Sequence, residues 1–369
     1  MRELAYIQKI GSLSPIPGAD AIEKAEVLGW ELVVKKGEFH VGDLCVYCEI
    51  DSILPELPCF EFLRARKFRI KTVKLRGQVS QGIAFPLSIL REVDPSFEGS
   101  LYTGRDVTAN LKITKYDPET VLDVQHNQVK KPWYVRKFNH LKWKLFGLKP
   151  VRKGNFPEDI PKTDETRVQK MATALEEREG HSVYITEKCE GTSSTFVYRE
   201  GGNWLAKLLN NNGSFQICSR NTTVFNSQTG KEAPHFLRDV AKKYDLHKKM
   251  KALGRSYAIQ GEVIGPKIQG NIYQLPELEL RVFSIFNLDT QEYLSYYEMC
   301  NVADQLGLTT VPVLQVNISL VNDVKYWVEY SKGASQINPK ILREGVVIRS
   351  MSDNFSFKSI NPEYLLKQE

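Results

Sequence analysis

The chain has 369 residues, enough for two domains that each bury a core. Hydrophobic residues make up 42% and charged residues 25%, as in ordinary globular proteins, and no apolar run approaches membrane-spanning length. The net charge of +6 is uneven, because residues 111–153 carry +8 and the rest of the chain sums to −2.

The first residues contain no apolar segment of signal-peptide length, so we expect an intracellular protein of the cytoplasm, or alternatively of the nucleus. Six cysteines scattered over the chain fit reduced thiols better than a disulfide framework. Cys45 and Cys48 have the C-x-x-C spacing of a metal or redox site. Since no second pair completes a zinc site, two buried strand cysteines are favoured.

Residues 1–110 have the pattern of short strands separated by turns, which indicates a small barrel or sandwich. The predicted strands are 25–33, 44–50, 69–73 and 82–85. Lys71, Lys74 and Arg76 form a basic stretch that faces either a ligand or only water.

Residues 111–155 form a basic connector with a predicted helix at 135–145. Eleven Lys and Arg between 111 and 153 alternate with aromatic residues such as Trp133 and Tyr134. Cations beside flat rings suit a phosphate backbone and its bases. A solvated interdomain helix explains the same pattern equally well.

From residue 156 onward the pattern becomes α+β. Predicted strands are 182–186, 194–198, 215–219, 257–263, 280–288 and 345–350. Predicted helices are 165–177, 234–253, 297–306 and 322–332.

Lys188 ends the first of these strand-like runs and is followed by Glu190, Gly191 and small hydroxyl residues. Lysine is a nucleophile only as the neutral amine, and its usual pKa of about 10.4 leaves little of that form at pH 7. Burial and nearby cations lower this pKa. Alone, the K-x-E-G pattern is weak evidence, because many surface turns contain it.

Four later segments place further chemical groups on or beside strands. Glu262 follows a glycine in the apolar segment 258–265, and Phe283 lies in the apolar segment 280–286. Glu344 directly precedes the apolar segment 345–349, and Lys358 lies in the segment 355–360.

Taken in order, these five segments resemble motifs I, III, IIIa, IV and V of the covalent nucleotidyltransferases, which comprise polynucleotide ligases and mRNA-capping guanylyltransferases. The spacing also fits, with 74 residues from Lys188 to Glu262 and 82 from Glu262 to Glu344. The segment 217–221, with Arg220, resembles the arginine-bearing element that follows motif I in RNA ligases. Six elements in register make the resemblance specific.

The segment 156–169 is similar to the region before motif I in RNA ligase family five, the Deinococcus/Naegleria type, which carries an N-terminal OB-like domain. DNA ligases and capping enzymes carry a C-terminal OB domain, and only 11 residues follow Lys358. The resemblance therefore implies an α+β protein with an OB-like β-barrel (1–110), the basic connector (111–155) and an ATP-grasp-like nucleotidyltransferase domain (156–369).

The resemblance implies an ATP-dependent RNA ligase of RNA repair, which joins 3′-hydroxyl and 5′-phosphate ends through lysyl-AMP and adenylylated-end intermediates. Its cofactors are then ATP, with AMP carried on Lys188, and Mg²⁺ or Mn²⁺. The implied roles are Lys188 as nucleophile, Lys358 at the α-phosphate, metal ligation by Glu190, Glu262 and Glu344, and nucleotide binding by Lys162, Arg167, Glu187, Arg220, Glu262 and Phe283.

Two positions depart from the family pattern. Motif I usually has aspartate where this chain has Glu190, so the carboxylate is kept on a longer arm. Motif V usually offers two lysines, and Ser356 takes the place of the first. Neutralisation of the phosphate then depends more heavily on Lys358 and the metal.

The expected partner is nucleic acid, as a nicked duplex or broken RNA, with no membrane and no obligate protein partner. Two alternatives stay open at this point. One is another covalent nucleotidyltransferase, such as a DNA ligase or capping enzyme. The other is a non-catalytic OB-type RNA-binding protein, although Lys188, Glu262, Glu344 and Lys358 are all intact.

Overall fold

A computed structural model of the chain describes residues 3–116, 154–201, 213–227, 231–232 and 235–367. The chain divides into two compact units, residues 1–138 with 365–369 and residues 139–364. Most of the basic connector, with its predicted helix at 135–145, lies outside the described residues. Within the described ranges, no helix is both long and apolar enough to cross a membrane.

The N-terminal unit is built from short antiparallel strands, as predicted. They are β1 Ala5–Lys9, β2 Ser12–Pro15, β3 Ile22–Val27, β4 Trp30–Lys35, β5 Leu44–Cys48, β6 Ser52–Ile53, β7 Thr72–Leu75, β8 Gln78–Gln81, β9 Ile83–Phe85 and β10 Thr114–Lys115. The sheet orders are β1-β5-β9, β2-β3-β4, β7-β8 and β6-β10. A 3₁₀ helix, Pro58–Arg66, and a short helix α1, Ile89–Val93, interrupt the strands.

The core of this unit combines strands that are buried at nearly every position, such as β1 and β5, with a strand that alternates. On β4 the residues Trp30, Leu32 and Val34 are buried at every second position. The prediction of one strand over 25–33 is wrong, because Leu28 and Gly29 have φ of 51° and 75° and turn the chain between β3 and β4. Positive φ at both central residues is the signature of a tight hairpin turn.

Cys45 and Cys48 are fully buried free thiols on β5, which confirms the expectation of strand cysteines. Burial raises the pKa of the Cys45 thiol to about 12. A thiol that stays protonated is neither a good nucleophile nor a good metal ligand. The C-x-x-C spacing therefore reflects packing.

The C-terminal unit contains two larger sheets. Its strands are β11 Gly154–Asn155, β12 Ser182–Lys188, β13 Thr192–Arg199, β14 Ser214–Ser219, β15 Thr222–Asn226, β16 Lys231–Glu232, β17 Tyr257–Ile264, β18 Glu279–Asn287, β19 Glu292–Tyr293, β20 Thr309–Thr310, β21 Val313–Ser319, β22 Gly345–Ser350 and β23 Ser356–Ile360. The larger sheet has the order β11-β15-β14-β13-β17-β18-β19, with β16 and β20 at its sides. The smaller sheet has the order β21-β12-β22-β23.

The helices from residue 172 onward are α2 Ala172–Glu177, α3 Phe236–Lys243, α4 Leu246–Leu253, α5 Tyr296–Leu306, α6 Val324–Tyr330 and α7 Pro362–Lys367. Helices α3, α4 and α5 share an apolar core with β13, β17 and β18 of the larger sheet. The fully buried Trp327 of α6 lies in the core behind the smaller sheet.

Two predicted helices differ from the structure. The expected helix 234–253 is two helices, because Asp245 adopts a left-handed φ of 51° between α3 and α4. The expected helix 165–177 begins as a 3₁₀ turn at Val168–Lys170 and becomes α-helical only at Ala172. Arg167, just before that turn, instead forms a β-bridge with Lys358.

One extra residue in β18 changes which way its side chains point. Gln260 of β17 pairs with Ser284, but the next residue, Gly261, pairs with Val282, so Phe283 has no partner in β17. The spacing of the buried residues changes accordingly. Leu280 and Val282 are two residues apart, but the next buried residue, Ile285, lies three residues after Val282. A β-bulge of this kind redirects a side chain out of the regular alternation.

Candidate active site between the two sheets

Lys188 is the last residue of β12 and lies opposite Gly345 of β22. Its Nζ donates to Oε1 of Glu344 at 2.6 Å, and the two side chains are only 26% and 18% exposed. Because side chains alternate along a strand, Lys188, Thr186 and Tyr184 share one face of the smaller sheet. The amine thus marks one end of that face.

Carboxylates set the charge state of this lysine. Burial lowers the pKa of Lys188, but the negative charges of Glu344, Glu262 and Glu190 outweigh that effect and leave the pKa above its usual value. The resting side chain is therefore an ammonium at neutral pH. It can become a nucleophile only when the surrounding negative charge is neutralised or moves away.

Gly191 lets the start of β13 lie against β17 beside Glu262. A Cβ added at Gly191 would lie 2.4 Å from the carbonyl oxygen of Val263 and 2.8 Å from Cγ of Glu262. This close approach explains the glycine that follows the lysine and acid in sequence. It also fixes where the Glu262 carboxylate stands relative to Lys188.

Tyr273 supports the loop after Lys188, and no motif in the sequence pointed to it. Its hydroxyl accepts a hydrogen bond from the backbone N–H of Glu190 at 2.8 Å, and the side chain is buried. Burial raises the pKa of this phenol. The tyrosine therefore stays protonated and holds the loop in place as a neutral group.

The three predicted metal ligands come from three separate elements. Within the residues that the structure describes, no three His, Cys, Asp or Glu side chains are already close enough to hold a metal ion. In the present arrangement the Lys188 ammonium is the cation beside Glu344. An all-carboxylate donor set around it fits a hydrated Mg²⁺ or Mn²⁺, which prefer oxygen ligands.

A cavity of about 590 Å³ lies on the same face, further along β12. Its lining includes Tyr184, Gln260, Phe283, Arg349 and Lys162. Tyr184 precedes Lys188 by four residues, so this part of the wall lies roughly 13 Å from the lysine along the strand. That separation suits a nucleoside whose base enters the cavity while its phosphates reach the amine.

An ion-pair network inside the cavity was not predicted. Arg349 donates to Glu165 at 3.0 Å and to Oγ1 of Thr186 at 3.3 Å, and its guanidinium lies 5.6 Å from the centre of the Phe283 ring. The other carboxylate oxygen of Glu165 accepts from the Ser356 hydroxyl. Arg349 and Ser356 are cross-strand partners, so an arginine stands beside the position where the motif V lysine is missing.

Lys358 lies on the Lys188 face, because it pairs with Val347, which in turn pairs with Thr186. Its backbone N–H donates to the carbonyl of Thr166 at 2.8 Å, next to Arg167. Thr166 and Arg167, just before the 3₁₀ turn at Val168–Lys170, thus lie beside β23.

Arg220 and Lys162 lie near the other end of this segment, which comprises residues 162–167. Arg220 donates to Asp164 at 2.5 Å, and Nζ of Lys162 lies 3.5 Å from Oδ1 of Asn221. Residues 162–167 therefore connect the two sheets. Four predicted basic site residues, Lys162, Arg167, Arg220 and Lys358, thus lie in or against this one segment.

Glu187 does not share the face of Lys188. Alternation directs its side chain to the opposite face, where it is buried and accepts from the backbone N–H of Gln336 at 2.7 Å. Burial raises the pKa of this carboxyl. The structure therefore gives Glu187 a position behind the nucleophile, and its predicted contact with the nucleotide stays a prediction.

Comparisons with known proteins agree with this arrangement. A family model described as RNA ligase matches residues 181–360, and an OB-fold domain model matches residues 4–87. No curated protein sequence matches.

Solved structures of Naegleria gruberi RNA ligase are similar over the whole chain. One with pyrophosphate is 31% identical, with a TM-score of 0.77 and coverage of 99% of this chain and 98% of that one. A mutant with ATP and Mn is 31% identical and another with AMP and Mn is 30% identical. Both have TM-scores of 0.78 and cover 100% of this chain and 99% of the other.

Proposed function

Because the chain belongs to the RNA ligase family and is an ATP-dependent RNA ligase, we propose that Lys188 is the residue that takes up AMP. One observation carries this assignment. Lys188 is the amine that stands among Glu344, Glu262 and Glu190, on the face that leads to the Phe283 cavity. A base held in that cavity lets the α-phosphate reach Nζ.

The first step forms a nitrogen–phosphorus bond and breaks the bond from the α-phosphorus to the pyrophosphate oxygen. The neutral Nζ of Lys188 supplies the electron pair, so its proton must leave first. In-line displacement of this kind depends mainly on positioning and charge neutralisation. Lys358 supplies positive charge at the α-phosphate, and Arg167 is held beside it.

Glu190, Glu262 and Glu344 would hold a hydrated Mg²⁺ or Mn²⁺. When bound, such an ion offsets the α-phosphate charge and favours the neutral amine. The position of Glu344, 2.6 Å from Nζ, supports this assignment, because a carboxylate that pairs with the lysine ammonium can take a metal ion once the lysine is neutral.

The nucleoside is bound by the side chains around the cavity. Phe283 offers its ring to adenine, supported by the bulge that directs it there. Arg220 contacts the ribose or the RNA end, and Lys162 lies nearby at the cavity wall. Glu187 acts from behind the strand, where it fixes β12 through Gln336.

Two further displacements complete the reaction. AMP moves from Lys188 to a 5′-phosphate end and forms a 5′–5′ anhydride, and a 3′-hydroxyl then attacks that end and releases AMP. The substrate is RNA with a nick or break. Residues 1–110 serve as the nucleic-acid-binding domain, 111–155 as the connector and 156–369 as the adenylyltransferase domain, which the OB-fold and RNA ligase matches support.

Incubation with labelled ATP and Mg²⁺ or Mn²⁺ tests the assignment directly. Label should remain on the protein in alkali and be lost in acid, as expected for a lysine phosphoramidate. Peptide mapping should locate it at Lys188. Labelled GTP and NAD serve as comparison nucleotides, and stronger labelling from either would contradict the choice of ATP.

Glu190→Asp should retain self-adenylylation within about threefold, whereas Glu190→Ala should lose about 10- to 100-fold, the range for loss of a residue that anchors a metal. The aspartate restores the carboxylate that this position usually carries in the family. The measurement is the initial rate of labelling at several Mn²⁺ concentrations. Equal rates for the alanine and aspartate variants would remove Glu190 from the metal site.

Gly191→Ala should cut self-adenylylation at least about tenfold, because the added Cβ collides with β17 and displaces Glu262. Gly11→Ala is the matched control, since its Cβ would meet only one atom, at 3.4 Å. Thermal melting of both variants separates a local displacement from unfolding. A folded alanine variant with parental labelling would contradict the role given to the close approach.

A further inference from the structure

A basic segment runs through the N-terminal unit from the second half of the 3₁₀ helix to the turn after β7. Residues 62–76 contain no Asp or Glu and seven cations: Arg64, Arg66, Lys67, Arg69, Lys71, Lys74 and Arg76. A stretch of this kind is often a solvated surface whose charges are balanced by acids from neighbouring elements. The ion pairs of its members decide whether that holds here.

Two of the seven cations are engaged within the unit. Arg64 pairs with Glu61, and Arg69 lies 2.6 Å from Asp51 with its guanidinium 3.7 Å from the centre of the Tyr116 ring. Across the part of the chain that the structure describes, the other five make no ion pair. Four of these five are exposed, and Lys71 is half-buried. Most of the positive charge is thus left without an internal counter-charge.

The hairpin tip holds one of these cations in a conformation that arginine rarely adopts. Leu75 of β7 pairs with Gln78 of β8, so Arg76 and Gly77 form a two-residue turn, with φ of 48° and 86°. Asparagine, aspartate and glycine are the residues that favour such a turn. The backbone alone therefore does not explain an arginine at this position.

Exposed apolar groups accompany the charge. Phe62 is 62% exposed and Leu75 is 40% exposed, at the two ends of the segment. The Phe62 ring lies 6.3 Å from the centre of the buried Phe85 ring, which supports it from one side. An exposed ring in the same segment as unpaired cations is a suitable platform for an unstacked base.

We propose that residues 62–76 form a basic surface that binds the phosphodiester backbone of the RNA whose ends this enzyme joins. This inference rests on the proposed function and deepens it. Lys74 lies on β7 and Arg76 lies in the turn that follows it, so the two charges occupy different positions and each can meet a different phosphate. Phe62 stacks on a base that is exposed at a break.

The test compares two triple variants of the full chain. Lys71→Gln, Lys74→Gln and Arg76→Asn together remove three charges from the basic surface, and asparagine suits the turn, so the hairpin should fold. Lys9→Gln, Lys35→Gln and Lys36→Gln remove three charges from other exposed positions of the same unit. The measurement is the affinity for nicked duplex RNA across a series of salt concentrations.

The first variant should lower the slope of log affinity against log salt by about 2 to 3, at roughly 0.9 per lost phosphate contact on a duplex. The control should keep the parental slope. Phe62→Ala should weaken binding to RNA with an unpaired base and leave the slope unchanged. An unchanged slope in the first variant would overturn the proposal and leave the surface to solvent or to an acidic protein.

Labelling by ATP is measured on the same preparations. Parental labelling together with a reduced salt slope supports the surface and the catalytic assignment independently. Parental protein that binds RNA but takes up no label would contradict the proposed function of Lys188. The RNA titration would still show whether residues 62–76 bind the RNA backbone.

Discussion

Lys188→Ala and Lys188→Arg should both abolish covalent uptake of AMP from ATP, with a loss of at least about 10³-fold, of the order seen when other covalent enzymes lose their nucleophile. Alanine removes the nucleophile. Arginine keeps the positive charge beside Glu344, but its guanidinium does not lose a proton in proteins and cannot supply a free amine. The arginine variant therefore separates the charge of Lys188 from its reactivity.

The readout is labelled protein after incubation with ATP and Mn²⁺, followed by sealing of an RNA end that was adenylylated beforehand. The arginine variant should still seal such an end, because that step needs no lysyl-AMP. Lys243→Arg is a suitable control, since Lys243 also makes an ion pair in this unit, with Glu277 at 2.9 Å. Uptake of label by Lys188→Arg would show that the nucleophile is another residue.

Glu344→Ala and Glu262→Ala should each reduce self-adenylylation by about 100-fold or more, because each removes a carboxylate from the proposed metal site. A competing effect has the opposite sign. Both carboxylates raise the pKa of Lys188, so removing either leaves more neutral amine at pH 7. We expect the loss of metal binding to win, since nucleophilic attack still requires neutralisation of the α-phosphate.

Titration with Mn²⁺ distinguishes the two effects. The expected result is an activity that recovers partly at high metal concentration, with Glu329→Ala, an exposed partner of Lys332, as the unaffected control. Near-parental labelling at low metal concentration in both variants would contradict the metal site. A rate above the parental value would mean that the carboxylates act mainly by holding the lysine protonated.

The architecture was largely predictable because the strands are short apolar runs bounded by turn residues, and central strands such as β13 and β22 are buried on both faces. The prediction 345–350 coincides with β22, and 257–263 differs from β17 by a single residue. Errors occurred where positive φ angles broke a continuous pattern. The prediction 25–33 ran through Gly29, which forms the turn with Leu28, and the prediction 234–253 ran through Asp245, a residue type that tolerates positive φ.

The site was predictable only in part. Lys188, Glu344 and Lys358 were found because their segments resemble the family motifs in order and spacing, and the structure places them on or directly beside one sheet. Tyr273 and Glu165 were missed because their importance comes from contacts with residues 83 and more than 180 positions away. Arg349 was visible in its segment, yet no local feature indicated that it enters the cavity.

The extra residue in β18 makes the length of that strand part of the nucleotide pocket. Deleting a residue between Glu279 and Val282 would force Phe283 into the regular ladder or reverse every side chain on one side of it. A substitution that keeps the strand length changes only the side chain at one position. An insertion or deletion changes the orientation of many side chains that line the pocket. Chimeras with other ligases should therefore be joined outside 279–287, so that the bulge is inherited intact from one parent.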